Sequence, residues 1–385
     1  MSNRLKKLTG VSAIVGAVAL ILFLVLPTAP TTTACASVSA KNKALCYTDV
    51  IDQMLKQKGL SATFDFIAAT YEADPSFAKF CHANTHDLGK AAYIDFHATG
   101  EVDLSPKASY CGYGFYHGFM EEMLFQTHNL TEAREFCTYA STVVPIPEGY
   151  AEGACYHGIG HGVTDGYDTT LWGDAKALTA PGLKLCREVA LTTDWRYRCA
   201  SGVFNSIALL HRDPTYKLSV AGDPYKLCRT STYDEIEQSA CYSQMDTLVA
   251  FVAKSFAEAI GYASGVKEEY RDSATLNAAS IVVQRLRREP TGTVPKEAVA
   301  VCGPLPESQR VACVRGLVDG VIEHGSPQNQ YKEVLALCDA DIGVLAEPCY
   351  ERLVQNISTF YSGALLESAC GSLPEAYRSR CITPR

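Results

Sequence analysis

Apolar and polar positions follow each other along this chain in short helical runs broken by polar turns. "YKEVLAL" (331–337) and "YERLVQNISTF" (350–360) place apolar side chains three and four apart, the mark of an α-helix with one buried face. Segments such as "GPLPESQRVA" and "GSLPEAYRSR" carry proline, glycine and charge, and read as turns. "YRDSATLNAASIVVQRLRRE" (270–289) predicts a further helix. One stretch departs from this rhythm. Residues 8–27, "LTGVSAIVGAVALILFLVLP", are uncharged and long enough to cross roughly 30 Å of hydrocarbon as a helix. Arg4, Lys6 and Lys7 precede the run, which orients everything after it to the extracytoplasmic side. The expectation is a retained membrane anchor, with secretion after cleavage at the small residues of "TTTACASVSA" as the alternative.

The cysteines set the period. Taken consecutively, the sixteen form the pairs 35/46, 81/111, 137/155, 186/199, 228/241, 302/313, 338/349 and 370/381, four of which enclose ten residues and two twelve. Helical runs precede the first cysteine of a pair and follow the second, so each unit predicts helix, disulfide-stapled turn, helix. Cleavage after Ala40 would orphan Cys46, which favours keeping the region from Cys35 onward. Neither Cys-x-x-Cys nor Cys-x-x-Cys-His occurs, which removes the common zinc spacing and covalent haem attachment. The predicted fold class is all-α: disulfide-stapled helix-hairpin repeats, either an α-solenoid or a closed helical array. Residues 1–34 form the stub, membrane segment and linker. Residues 35–385 form the extracytoplasmic repeat domain, with His-rich units at 81–170 and His-poor repeats at 171–385. In outline the arrangement resembles the cysteine-rich Sel1-type repeat proteins of bacteria, a likeness of architecture that implies no function.

Aligning the units on the second cysteine exposes two columns. Three residues on stand Gly114, Gly158, Gly202 and Gly316, and four further Gly118, Gly162, Ser206 and Gly320. Small residues at this spacing share a helix face and predict close approach of neighbouring backbones, which must offset a cost of about 1 kcal/mol for each helical glycine. The sixth position holds His117, His161, Asn205, Asp319 or Gln355. With the second and tenth positions it makes one polar face: Tyr113/His117/Glu121, His157/His161/Asp165 and Arg315/Asp319/Glu323. "CHANTHDLGKAAY" adds His82 and His86, again four apart.

Neutral imidazole and carboxylate bind Zn, Cu, Fe and Mn, and histidines at i and i+4 can share one ion. Five of the nine histidines lie on these faces in three successive units. The candidate metal ligands are His86, His117, His157, His161, Glu121 and Asp165, with His82 and Asp87 as supporting groups. The expected cofactor is a divalent transition metal, with redox or hydrolytic chemistry open. The competing reading is a metal-free interaction scaffold, its repeat groove holding a protein or peptide and its histidines serving helix packing. "HDLGK" (86–90) resembles the signature of HD-domain phosphohydrolases, but that family needs an upstream histidine and none precedes His82. Asn129 and Asn356 stand in glycosylation sequons.

Composition narrows the partners. A net charge of -8 with scattered basic residues predicts no nucleic-acid face. No Walker loop, no Gly-x-Gly-x-x-Gly after a strand and no Gly-x-Ser-x-Gly elbow appears.

Overall fold

The structure, a computed structural model, describes residues 30–382 except 40, 75–76, 78–79, 145–149, 165–167, 221, 287–293, 295–296, 326–328 and 362. Among the described residues the chain is helical, with no strand. The predicted membrane segment 8–27 lies outside them, and no described helix is long and apolar enough to cross a membrane.

Helices α1 (Lys43–Ala73), α2 (Cys81–Thr99) and α3 (Gly114–Thr127) open the chain. They are followed by α4 (Leu130–Val143), α5 (Tyr150–Gly162), α6 (Ala175–Val189) and α7 (Thr193–Leu210). Next come α8 (Glu235–Gln244), α9 (Asp246–Val252), α10 (Phe256–Ser264) and α11 (Glu268–Leu286). The chain ends with α12 (Glu307–His324), α13 (Gln330–Cys338), α14 (Ala346–Phe360), α15 (Gly363–Gly371) and α16 (Glu375–Ile382). Polar caps start many of them: Asn129 accepts from the Glu132 amide at α4, Asp174 from Ala177 at α6 and Thr192 from Trp195 at α7.

The helices form two rows. One row runs α2, α3, α5, α7, α8, α11, α12, α14, each packed on the next, while α4, α6 and α13 back onto α5, α7 and α14 from outside. The apolar core fills the space between the rows. Phe119 of α3 stacks on Phe136 of α4 with centroids 4.1 Å apart, and Tyr156 of α5 lies parallel to Trp195 of α7 at 5.3 Å.

All sixteen cysteines pair consecutively, with Cα separations from 5.3 to 5.9 Å. Eight such bonds belong to an oxidising, extracytoplasmic compartment. Two details differ from the simple helix–turn–helix expectation. The second cysteine can sit inside the inner helix, as Cys199 does in α7, because the Thr192 cap starts that helix within the enclosed segment. The Cys81–Cys111 bond spans the whole of α2, which therefore joins the inner row itself.

The small-residue column does what its spacing predicts. A methyl group on Gly118 would run into the carbonyl of His86, and one on Gly202 into that of His157. Gly158 would meet the Tyr116 carbonyl at 2.7 Å. Helices α3, α5 and α7 thus press glycine against the histidine-bearing turn of the helix before, and this close approach brings the imidazoles of separate units together.

Candidate functional site

Helices α2, α3 and α5 contribute five histidines to one cluster. The rings of His117, His157 and His161 form a near-equilateral triangle, with centroids 4.9, 4.9 and 5.0 Å apart. His82 lies 5.3 Å from His117 and 6.4 Å from His86. His117 and His161 are only 8% and 7% exposed, a rare state for so polar a side chain and one that demands partners.

The hydrogen bonds fix most of the ring orientations. Ser201 donates to the Arg198 carbonyl at 2.6 Å, so its oxygen accepts the Nδ1 hydrogen of His157 at 2.7 Å. His157 Nε2 is left as a lone pair. It faces His161 Nε2 at 3.2 Å, while His161 Nδ1 is held by Ser206 Oγ at 2.9 Å and lies 3.6 Å from Glu121 Oε1. His82 donates from Nδ1 to the Cys111 carbonyl at 3.0 Å, which also frees its Nε2. The Cys111 carbonyl belongs to a turn in which Cys111, Gly112 and Tyr113 all have φ of 61–65°, a left-handed stretch costly for the two non-glycine residues. His86 stands differently: its Nε2 donates to Glu121 Oε1 at 3.1 Å, and Lys90 binds the other carboxylate oxygen at 3.2 Å. For His117 no hydrogen bond to any described residue is made.

Burial and crowding set the charges. Loss of hydration, then repulsion among the imidazoles, holds His117 and His157 well below the ordinary histidine value. Burial brings His161 down to about 4 despite the upward pull of Glu121. Burial alone would raise Glu121, but its hydrogen bond and charge interaction with His86, helped by His161 and Lys90, bring it to about 2. At neutral pH His117, His157 and His161 therefore stand as neutral imidazoles beside an ionised Glu121, the protonation state that metal binding requires.

Two nitrogens bound tetrahedrally at 2.0–2.1 Å to one ion stand roughly 3.3 Å apart. The His157–His161 pair has that spacing already. A third ligand does not. Among the described residues no group of three or more His, Cys, Asp or Glu side chains stands at metal-holding geometry, and His117 lies with its ring stacked on His161 at 20°. Bringing its nitrogen to the pair takes a ring rotation.

Of the predicted ligands, His117, His157 and His161 come together, with His86 and Glu121 paired at the edge. Asp165 lies outside the described residues. Asp87 is exposed, and no hydrogen bond or ion pair joins it to the cluster. Ser201, Ser206 and Lys90 were not foreseen as site groups. Ser206 did leave a sign: it stands where three other units carry glycine, and its hydroxyl is what reaches His161.

The same polar column closes on itself in the later units. Asp319 takes both arms of Arg352 at 2.7 Å and an Asn356 amide at 2.8 Å. Asn356 is 5% exposed, so its sequon is closed to a glycan in the folded chain. No family model, curated protein or solved structure matches the chain.

Proposed function

We propose that the protein is a membrane-anchored, extracytoplasmic helical-repeat protein that binds a divalent transition metal (Zn, Cu, Fe or Mn) in its histidine cluster. His157 and His161 are the first ligands through Nε2, His117 the third after ring rotation, and His86 with Glu121 the flanking pair; Asp165 follows four residues after His161. One observation carries the reading: two Nε2 atoms face each other at the spacing of a shared ion, with both Nδ1 atoms anchored by serine hydroxyls. Such anchoring fixes a ligand ring and raises its basicity. A metal there would supply Lewis-acid or redox chemistry, and an open fourth position would admit a water or substrate atom. Residues 8–27 are the anchor.

A second reading rests on the same distances. If Ser206 donates to His161 Nδ1 and His161 Nε2–H donates to His157 Nε2, the chain of bonds ending at Ser201 and Arg198 is satisfied without an ion. The histidines then serve packing in a scaffold. His117 distinguishes the two, because that network leaves its ring nitrogens unused.

The test is elemental analysis of the oxidised full chain, purified from membranes in detergent without a histidine tag, beside its His157→Ala/His161→Ala variant. The expected result is stoichiometric metal in the first, none in the folded second, and recovery of both from the membrane fraction. No metal in either after reloading with Zn, Cu, Fe and Mn overturns the metal site, and recovery in the soluble fraction overturns the anchor.

A further inference from the structure

Helix α3 packs on α2 on one side and on α5 on the other, and its single histidine, His117, lies between the rings that those two helices supply. Two imidazoles that share an ion tetrahedrally, each nitrogen 2.0–2.1 Å from it, have ring centres roughly 5 Å apart and planes inclined so that both nitrogens converge. The His157–His161 pair meets this condition, at 5.0 Å and 52°. The His82–His117 pair repeats it on the other side of the cluster, at 5.3 Å and 62°. His117 and His161, although 4.9 Å apart, are inclined by only 20° and lie face to face. The cluster thus holds two converging pairs, one on each side of His117.

The nitrogens of the second pair are as available as those of the first. His82 commits Nδ1 to the Cys111 carbonyl at 3.0 Å, so its Nε2 keeps a lone pair. His117 is 8% exposed and makes no hydrogen bond to any described residue, a state in which a buried imidazole needs a partner. Its ring offers two nitrogens, and an ion at His157 and His161 takes up only one of them. The metal-free network through Ser206, His161, His157 and Ser201 takes up neither. His82, unlike His117, is exposed, so the second pair opens to solvent at that end.

We propose that the cluster takes two divalent transition-metal ions: His82 Nε2 and His117 form a second metal site, and His117 is the ligand shared with the site at His157 and His161. The neutral ring of His117 carries one N–H hydrogen. When the second ion binds, that hydrogen leaves as a proton to solvent, and the ring joins the two ions through its two nitrogens. The second ion completes its coordination with water from the exposed His82 side, which makes it the outer and more readily exchanged of the two. This inference rests on the metal reading above.

The test titrates the full chain, stripped of metal and kept in detergent, with Cu(II). Copper retained after gel filtration is counted, and its paramagnetic resonance is recorded at each step. The expected result is two coppers per chain, with a signal that rises over the first equivalent and falls over the second, because two Cu(II) ions joined by one imidazolate couple their spins. His82→Gln, at an exposed position, should retain one copper with its full signal and an unchanged helical circular dichroism. One copper in the unaltered chain, or two in His82→Gln, overturns the second site while leaving the metal reading standing. Two coppers whose signals simply add overturn the shared ligand and the proposal with it. No copper retained by the unaltered chain overturns the metal reading and this one together.

Discussion

Ser201 shows how much of the site depends on single atoms behind the proposed ligands. Its hydroxyl is committed to the Arg198 carbonyl, and that commitment alone decides which nitrogen of His157 carries the hydrogen. Ser201→Ala removes the acceptor without touching either Nε2 atom. The His157 ring is then free to turn or to change tautomer, and metal affinity should fall about 10- to 100-fold with the helical circular dichroism unchanged. A competition titration against a chromophoric chelator measures this, and undiminished affinity would remove the serine from the site. The sequence displays the histidines through their i, i+4 spacing but not this serine. Its role depends on a neighbouring helix 44 residues away, and nothing in local spacing encodes that contact.

Between elements, glycine decides how closely the inner helices approach. A methyl on Gly202 meets the carbonyl of His157 and, at 3.0 Å, the Cα of Gly160, all backbone that no rotamer change can move aside. Gly202→Ala should therefore push α5 from α7 and destabilise the fold by about 1–3 kcal/mol, the usual cost of overpacking. Gly261 in α10 is the contrasting case, since a methyl there meets nothing within 4 Å. Gly261→Ala should stabilise by up to about 1 kcal/mol through helix propensity alone. Thermal melts of the two variants against the parent check both signs, and a harmless Gly202→Ala would mean that α5 and α7 are not in backbone contact. At this scale the sequence was most legible. Cysteine spacing yields all eight pairs, and the glycine column foretells backbone contact, because both are short-range patterns repeated in register. The exception is the Cys81–Cys111 unit, whose long enclosed segment hides a whole inner helix.

At the scale of the whole molecule, the curvature of the row was not legible, because no repeat taken alone records how much the next one turns. Asp246, at the start of α9, reports on its own burial through its proton. Burial is the main cause that pushes its carboxyl up to about 8, assisted by the charge of Glu323 and opposed by the hydrogen bonds from Thr247. The unfolded chain holds the same group near its ordinary value of about 3.9. Between those values the folded state keeps a proton that the unfolded state has released, so this group's contribution to stability is intact below about pH 4 and is lost progressively as pH rises towards 8. Asp246→Asn removes the titration. Denaturant unfolding of parent and variant at pH 4.5 and pH 8.5 should show the variant gaining on the parent at the higher pH. A difference that stays constant between the two would mean that Asp246 faces bulk water.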